Sequence, residues 1–588
     1  MLKRLKAEQE GKQSPVRKKI DLTLPPDVLF LNPWRDPGFR LLLEPEFIWR
    51  PMQGGRIAGF AASGHQDLRK KTEQVLRSTK NAKTFSQPIE YNSVPVMLDR
   101  AEFRKSFVGA RDRFLLSGAA GTRVLNSYRT ENGEDAEGRL EEFFATCRDR
   151  NADKEIPVYS GYLETDIPFA AACRNTFNYY HFITESLCQL TVLDGLDFQG
   201  DIFFHFPNHE EKQRPFAKAF VEALFPEYAG RVHFERVPKD YAKVLTAYDL
   251  IGGHYQTPNG DLSEMDKLMP APLVEKGGAT SHASRVPLAM NAVNSSLLSL
   301  RVRALKAADG RAFDHLPKRF FVGRDTRQSR ARHMEGEEAL FEHLEAFGFE
   351  YVVFETLSPL DQIAIMARAE MMISYHGAGF TNMLFANPKA YVIEIGTLQT
   401  AQTRWGDFWP LAHASGCKYI NFFADYKGDN PLLEPNFGTD GIVPAALSKV
   451  AIAQIMAFVV TLLGQYPDIK RPRILAQMAI EVLEVGGAEH ALGLLEKHQP
   501  MVSENARLCL IKADCHKAMK EPKSELLALD LAHKADPARW QTLVRMIWCA
   551  NHCDRPQVIR WALSRLKTDF PDRHENFVGN HGWVRFVA

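Results

Sequence analysis

Between residues 371 and 394 the chain gathers the residue types that hold a leaving diphosphate. The apolar run Met371-Met372-Ile373-Ser374 reads as a strand, and Tyr375-His376-Gly377-Ala378-Gly379-Phe380-Thr381-Asn382 follows it. Two glycines after a strand let the backbone approach a ligand. A helix opening near Thr381 would turn its unpaired N–H groups and the positive end of its dipole to the same place, which favours an anion. Gly377, Ala378, Gly379, Thr381 and Asn382 are therefore the expected backbone and side-chain contacts. His376 stands before the turn, where its ring can donate to phosphate oxygens, and Glu394, ending the next predicted strand, is placed to reach ribose hydroxyls. Arg324, with Arg327, Arg330 and Arg332 behind it, adds cations at the same sheet edge. A dinucleotide fingerprint would need a third glycine where Asn382 stands, and Asn387-Pro388 cuts the helix short, so a nucleoside diphosphate fits better. The aromatics Trp405, Phe408 and Trp409 serve either as a wall for a base or sugar or as core.

These residues need a sheet to position them. Strands are predicted at Arg319–Val322, Tyr351–Phe354, Met371–Ser374, Tyr391–Ile395 and Lys418–Phe422, and helices at Glu337–Phe347, Leu360–Ala369 and around Gln402–Ala414. Apolar strands alternating with helices mean a parallel sheet covered on both faces, and ligands of such a sheet sit beyond the carboxyl ends of its strands. Gly348 suits a left-handed helix end, and Ser358-Pro359 suits a helix start. From about 85 to 275, runs such as Ile202–Phe206 and Val232–Phe234 alternate with Tyr180–Asp194 and Pro215–Leu224, again an α/β pattern. Residues 275–300, rich in Gly, Ser, Ala and Asn, read as a linker. After Pro467 the pattern is wholly helical, and prolines at 467, 500, 537 and 571 fall 33, 37 and 34 residues apart, each ending an apparent helix pair. That period suits tetratricopeptide-type hairpins.

At 588 residues the chain is too long for one core and should hold about three or four domains. Apolar residues are 45% and charged residues 25%, so it folds without a partner. Lys plus Arg number 73 against 72 Asp plus Glu, which argues against nucleic acid as a partner. Residues 1–20 are locally basic with no apolar stretch behind them, which limits membrane contact to the periphery. The eight cysteines contain no C-x-x-C pair and are expected reduced. Val450 to Pro467 is uncharged over 18 residues but reads as a buried helix, Ala446–Leu463, rather than a bilayer span.

The run Arg319 to Thr397, with Arg324, Glu337, Gly348-Phe349, Gln362, Ala369, the string His376–Asn382 and Glu394, resembles the signature of glycosyltransferase family 61. So does Asn178-Tyr179-Tyr180-His181-Phe182-Ile183-Thr184-Glu185-Ser186-Leu187 upstream, which is similar to that family's Asn-x-x-His block. Phe380 departs from the usual Leu, and Gly336 from the Asn that usually precedes the glutamate. The resemblance covers roughly 170 to 425. It implies a GT-B architecture: two Rossmann-like α/β domains facing across a cleft, donor on the second and acceptor on the first, with Asn178 and Tyr180 on the acceptor side. Here an all-α helical-repeat domain follows them. It further implies inversion at the anomeric carbon, no cofactor beyond the nucleoside-diphosphate sugar itself, and no obligatory metal; the chain has no D-x-D triplet. Inversion needs a base for the acceptor hydroxyl, and His181 and Glu185, four residues apart on one helix face, are the candidates. A carboxylate in a partly dry cleft rises in pKa, which favours Glu185 with His181 orienting it; the reverse assignment uses the same pair.

The expected layout is a basic arm and irregular segment over 1–80, an acceptor domain over 81–300, a donor domain with a return helix over 301–467, and tetratricopeptide-like helices over 468–588. The expected activity is transfer to a cell-surface glycan such as capsule or lipopolysaccharide, in the cytoplasm or at the inner face of the membrane. Transfer to a protein held by the helical repeats is the alternative enzyme, and a non-catalytic scaffold the alternative of another class.

Overall fold

The computed structural model describes residues 21–104, 107–174, 178–206, 215–251, 256–310, 313–324, 334–427, 435 and 437–586. The basic stretch 1–20 and Arg327, Arg330 and Arg332 lie outside these residues. The chain divides into two units, Met1–Met52 with Lys83–Ala307, and Gln53–Ala82 with Ala308–Ala588.

The second unit is built on parallel strands, in chain order β1 (Arg56–Ala62), β2 (Arg319–Val322), β3 (Glu350–Val352), β4 (Met371–Tyr375), β5 (Tyr391–Thr397) and β6 (Lys418–Tyr426). Their spatial order is β3-β2-β4-β5-β6-β1, every pairing parallel. The five expected strands are all present. Gly348 ends its helix at φ 77°, and Ser358 caps the next, its Oγ accepting from Asp361 N at 3.2 Å with Pro359 at the first turn. The helix expected around Gln402–Ala414 is two, Leu398–Thr403 and Trp409–Ser415.

The sixth strand corrects the assignment of 1–80 to an arm and irregular segment. Residues 53–82 supply β1 and an 18-residue helix, Gln66–Lys83, to this unit. The helix buries Leu68, Thr72, Leu76 and Thr79 as one stripe, the spacing of an amphipathic helix, with full burial of a leucine contributing roughly 1.5–3 kcal/mol. The strand is hard to see in the sequence because Arg56-Ile57-Ala58-Gly59-Phe60-Ala61-Ala62 is short in β-branched residues. Its identity comes from pairing along β6.

The helical tail is not set apart from this sheet. One core runs from Phe60, Ile393 and Phe422 through Ile455 and Phe458 of the helix Lys449–Leu462 to Leu475, Leu494, Leu529, Leu563 and Val584, so a boundary at 467/468 divides no core. The tail consists of three helix pairs whose first helices begin at Pro472, Ala506 and Trp540 and whose second begin at Ala488, Pro522 and Pro556. Each start is displaced by 34 residues from its counterpart. Each pair turns through a left-handed residue, Gly486, Lys520 or Asp554. The next residue's N–H closes back on Val482, His516 or Ala550 at 2.9 Å, the Schellman arrangement. Pro500, Pro537 and Pro571 follow the ends of the three pairs, and Pro500 and Pro571 also lie in the first turns of further helices, Gln499–Ser503 and Pro571–Asn580. Proline cannot continue the preceding helix.

The first unit carries an eight-stranded sheet. Phe169–Ala172, Ile202–His205 and Val232–Glu235 are parallel neighbours. Beside them Lys239–Asp249 runs antiparallel to Ser93–Phe103 along ten residue pairs, and further antiparallel strands continue that edge. The sheet is thus mixed, unlike the wholly parallel one expected of a Rossmann-like domain. Helix Pro215–Leu224 matches its expected bounds. The expected linker 275–300 is ordered: it holds the helix Arg285–Asn291, the strand Ala292–Asn294 and the start of the helix Ser295–Ala308. Its polar residues are caps and buried donors. Asn291 Nδ2 donates to Pro287 O at 2.7 Å, and Ser284 Oγ to Gly278 O at 2.6 Å.

Among the described residues no helix is long and apolar enough to cross a membrane. All eight cysteines are free.

Candidate active site

In the second unit β4 delivers the chain to His376, whose N–H still pairs with Ile395 O at 3.1 Å. Residues 376–379 are half-exposed and Phe380–Phe385 are buried. The expected short helix is a 3₁₀ helix, Ala378–Phe385. The amides of Gly377, Ala378 and Gly379 precede its first internal bond and donate to no backbone carbonyl among the described residues. Three adjacent amides without a backbone partner at the end of a central strand are the donor set that an anion-binding concavity needs.

The two glycines differ. Gly377 is extended, at φ 171°, and a Cβ there would collide with Arg324 Nη2. Arg324 lies against this loop: Nη2 donates to His376 O at 2.8 Å, and the guanidinium carbon stands 5.1 Å from the Tyr375 ring centroid. Gly377 therefore makes room for Arg324. A Cβ at Gly379 would make only ordinary contact, 3.6 Å from Phe354.

His376 and Glu394 are joined, Nδ1 to Oε1 at 2.6 Å, with side chains 11% and 3% exposed. The strand expected to end beside Glu394 runs on to Thr397, so this carboxylate sits inside the sheet, level with Ser374 and Asn421. Its other oxygen accepts from Tyr419 Oη, which in turn accepts from Asn421 Nδ2 at 3.1 Å. Asn421 Oδ1 accepts from Trp405 Nε1 at 2.9 Å. Burial, and then the neighbouring Glu394, push the Tyr419 phenol well up, so it stays a donor. With both oxygens occupied and the side chain buried, Glu394 orients His376 in place of the ribose contact expected of it. Trp405, Phe408 and Trp409 are buried core, Phe408 lying 5.5 Å from both the His376 and Phe380 rings.

Thr381 and Asn382 are fully buried. Asn382 Nδ2 donates to Gln362 Oε1 at 3.1 Å, so both are inward-facing supports of the loop rather than ligand contacts. Sequence reasoning missed Tyr419, whose only signal was an aromatic on the strand beside Glu394, and Asp407. Desolvation raises the Asp407 pKa, opposed by Arg404 and His376, which puts this carboxylate in the electrostatic field of the histidine.

The first unit builds a parallel arrangement. The strand Phe169–Ala172 leads through Cys173 and Arg174 to the helix Tyr179–Glu185. Asn178 caps that helix, its Oδ1 accepting from His181 N at 3.3 Å. Tyr180, expected on the acceptor side, is half-buried and packs edge-on against the His181 ring at 5.3 Å. His181 Nδ1 lies 2.7 Å from Glu185 Oε1. Arg174 Nε lies 3.3 Å from Oε2, an ion pair without hydrogen-bond alignment. Arg123, whose pKa burial lowers, donates from Nη1 to Cys173 O at 3.3 Å. Neither arginine was anticipated. A cation two residues past a strand that leads to a His–Glu helix was the available signal for Arg174.

In each pair the hydrogen bond from Nδ1 fixes the tautomer, leaving Nε2 as the working nitrogen. Each unit therefore presents an imidazole backed by a carboxylate in the loop or helix that follows a parallel strand.

Among curated proteins none matches the chain. Residues 179–393 match the family model described as Glycosyltransferase 61, a span that holds His181, Glu185, Arg324 and the whole loop 376–382. Over that segment the chain is similar to the glycosyltransferase 61 family, and the protein is a glycosyltransferase.

Proposed function

We propose that the protein moves a sugar from a nucleoside-diphosphate sugar to a hydroxyl of a cell-surface glycan such as capsule or lipopolysaccharide, with inversion at the anomeric carbon and without an obligatory metal. The observation that carries this reading is the His181–Glu185 pair. With Nδ1–H donated to Glu185, His181 Nε2 takes the acceptor proton, and Glu185 stabilises the imidazolium that forms. This exchanges the roles favoured from the sequence. The acceptor oxygen attacks the anomeric carbon, the bond to the diphosphate oxygen breaks on the opposite face, and negative charge grows on the diphosphate. The amides of Gly377, Ala378 and Gly379 receive that charge, together with His376, held in place by Glu394, and with Arg324. A positioned base contributes roughly 10²–10⁴ in rate, and one well-aimed donor to the leaving anion about 3 kcal/mol. In this reading the first unit supplies the base and the second the diphosphate contacts, the division of roles that the GT-B resemblance implies. It takes place in the cytoplasm, with at most peripheral membrane contact.

Release of nucleoside diphosphate across a panel of sugar nucleotides, followed by NMR assignment of the product's anomeric configuration, tests the reading. Retention of configuration, or full turnover in His181→Ala, overturns it.

The 34-residue helix pairs favour a second reading, a protein acceptor held by tetratricopeptide-like repeats. Leu527 and Trp561, exposed at 69% and 42%, occupy equivalent positions of successive units. If the acceptor is a protein, Leu527→Glu with Trp561→Glu abolishes transfer and spares donor hydrolysis. Turnover on isolated oligosaccharides favours the glycan.

A further inference from the structure

The second unit contains a groove of about 480 Å³ apart from the loop 376–382, within the roughly 300–1,000 Å³ of small-molecule sites. Its walls are β1 at Gly59–Ala61, the helix Gln66–Lys83 and the helix Pro472–Glu484. Three arginines line it. Arg473 and Arg507 are the second residues of the first helices in successive 34-residue units, so the repeat itself brings two guanidinium groups to one groove, and Arg77 adds a third from the opposite wall. None of the three has an ion pair or side-chain hydrogen bond among the described residues.

Glu481 also lines the groove and is 6% exposed. Its Oε1 accepts from Gln477 Nε2 at 2.8 Å, while Oε2 is buried without a partner, a state that costs stability until a donor arrives. Unpaired guanidinium groups select an anion, and phosphate above all. The carboxylates of Glu73 and Glu484 on the same walls, paired with Arg69 and Lys80, disfavour a ligand that is anionic throughout, and Glu481 offers an acceptor for a hydroxyl. One molecule that carries both features is a sugar phosphate.

We propose that this groove is a second ligand site, for a phosphorylated sugar, with the phosphate on Arg77, Arg473 and Arg507 and a sugar hydroxyl donating to Glu481. Glu481 is the buried acid of this groove. Burial pushes its pKa up to about 7, opposed by Gln477 and Arg69 and reinforced by Glu484 and Glu73.

Glucose 6-phosphate titrated into the full-length protein, followed by hydrogen–deuterium exchange, should saturably protect residues 73–77 and 473–484. Inorganic phosphate or glucose alone should bind at least about tenfold more weakly. Arg473→Gln with Arg507→Gln should weaken glucose 6-phosphate about tenfold or more while the far-ultraviolet spectrum and sugar transfer stay unchanged. Should the double variant misfold, Arg77→Gln on the other wall provides the same comparison. Glu481→Gln should weaken glucose 6-phosphate and leave inorganic phosphate unaffected. Protection confined to 376–382, equal binding of inorganic phosphate, or undiminished affinity in the arginine variants would overturn the site.

Discussion

Glu185 and Glu394 perform the same service for different histidines. Each holds Nδ1 at 2.6–2.7 Å and leaves Nε2 without a side-chain partner among the described residues, so removing either carboxylate releases a ring without removing it. His181→Ala and Glu185→Gln should each lower transfer by roughly 10²–10⁴ while calorimetry shows unchanged nucleotide affinity. Loss of affinity in Glu185→Gln would refute the division of roles. Tyr419 is a different kind of residue, a buried donor whose partner is a buried carboxylate. Tyr419→Phe leaves that oxygen unpaired, at a cost of about 1–3 kcal/mol, read as a lower melting temperature together with weakened nucleotide binding as His376 loses its fixed orientation.

At the level of elements, the loop after β4 works because its backbone is extended and then enters a short 3₁₀ helix, exposing three consecutive amides. The glycines beside those amides are not equivalent. Gly377→Ala drives a methyl group into Arg324 and should weaken nucleoside diphosphate about tenfold, the loss expected when a charge-assisted contact is displaced. Gly379→Ala meets only Phe354 at 3.6 Å and should bind as wild type. Equal effects would show that close approach of the ligand, rather than room for Arg324, decides both positions. The helical tail obeys a similar local logic. Left-handed residues at 486, 520 and 554 set a register that the prolines at 467, 500 and 537 follow only loosely, because proline marks where a helix cannot continue rather than where a pair must turn.

Across the whole molecule the second unit has one core that extends from the sheet to the last helix. A chain ending after Pro467 uncovers Leu462, whose side chain lies against Gly487, and divides the shared core, and should lose cooperative melting as well as activity. Buried titratable groups give this unit two opposing pH dependences. His413 is 7% exposed with neither ring nitrogen partnered, and burial lowers its pKa to about 4. The unfolded chain binds that proton from about pH 6.5 downward, so stability falls between 6.5 and 4, by about 3 kcal/mol. Glu481 acts oppositely. Its folded pKa, about 7, lies above its unfolded value, so stability falls as pH rises through that window, again by about 3 kcal/mol. Relative to wild type, His413→Phe should therefore gain melting temperature at pH 5 over pH 8, and Glu481→Gln at pH 8 over pH 5. The opposite order in either variant would overturn the assignment.

The sequence by itself determined five strands of the second sheet, the loop after β4, the two candidate histidines and the 34-residue character of the tail. Strand alternation, glycine after a strand and helix period are local signals, written within a few residues of where they act. Which acids serve those histidines was only half legible. A spacing of four on one helix announces Glu185 and His181, whereas Glu394 reaches His376 across neighbouring strands, and the length of its strand decided that it is buried. The sixth strand at Arg56–Ala62, the mixed sheet of the first unit, the arginines beside Glu185 and the shared core of sheet and tail depended on pairing between distant segments. Such pairing leaves no periodic trace in either partner, so only the folded chain shows it.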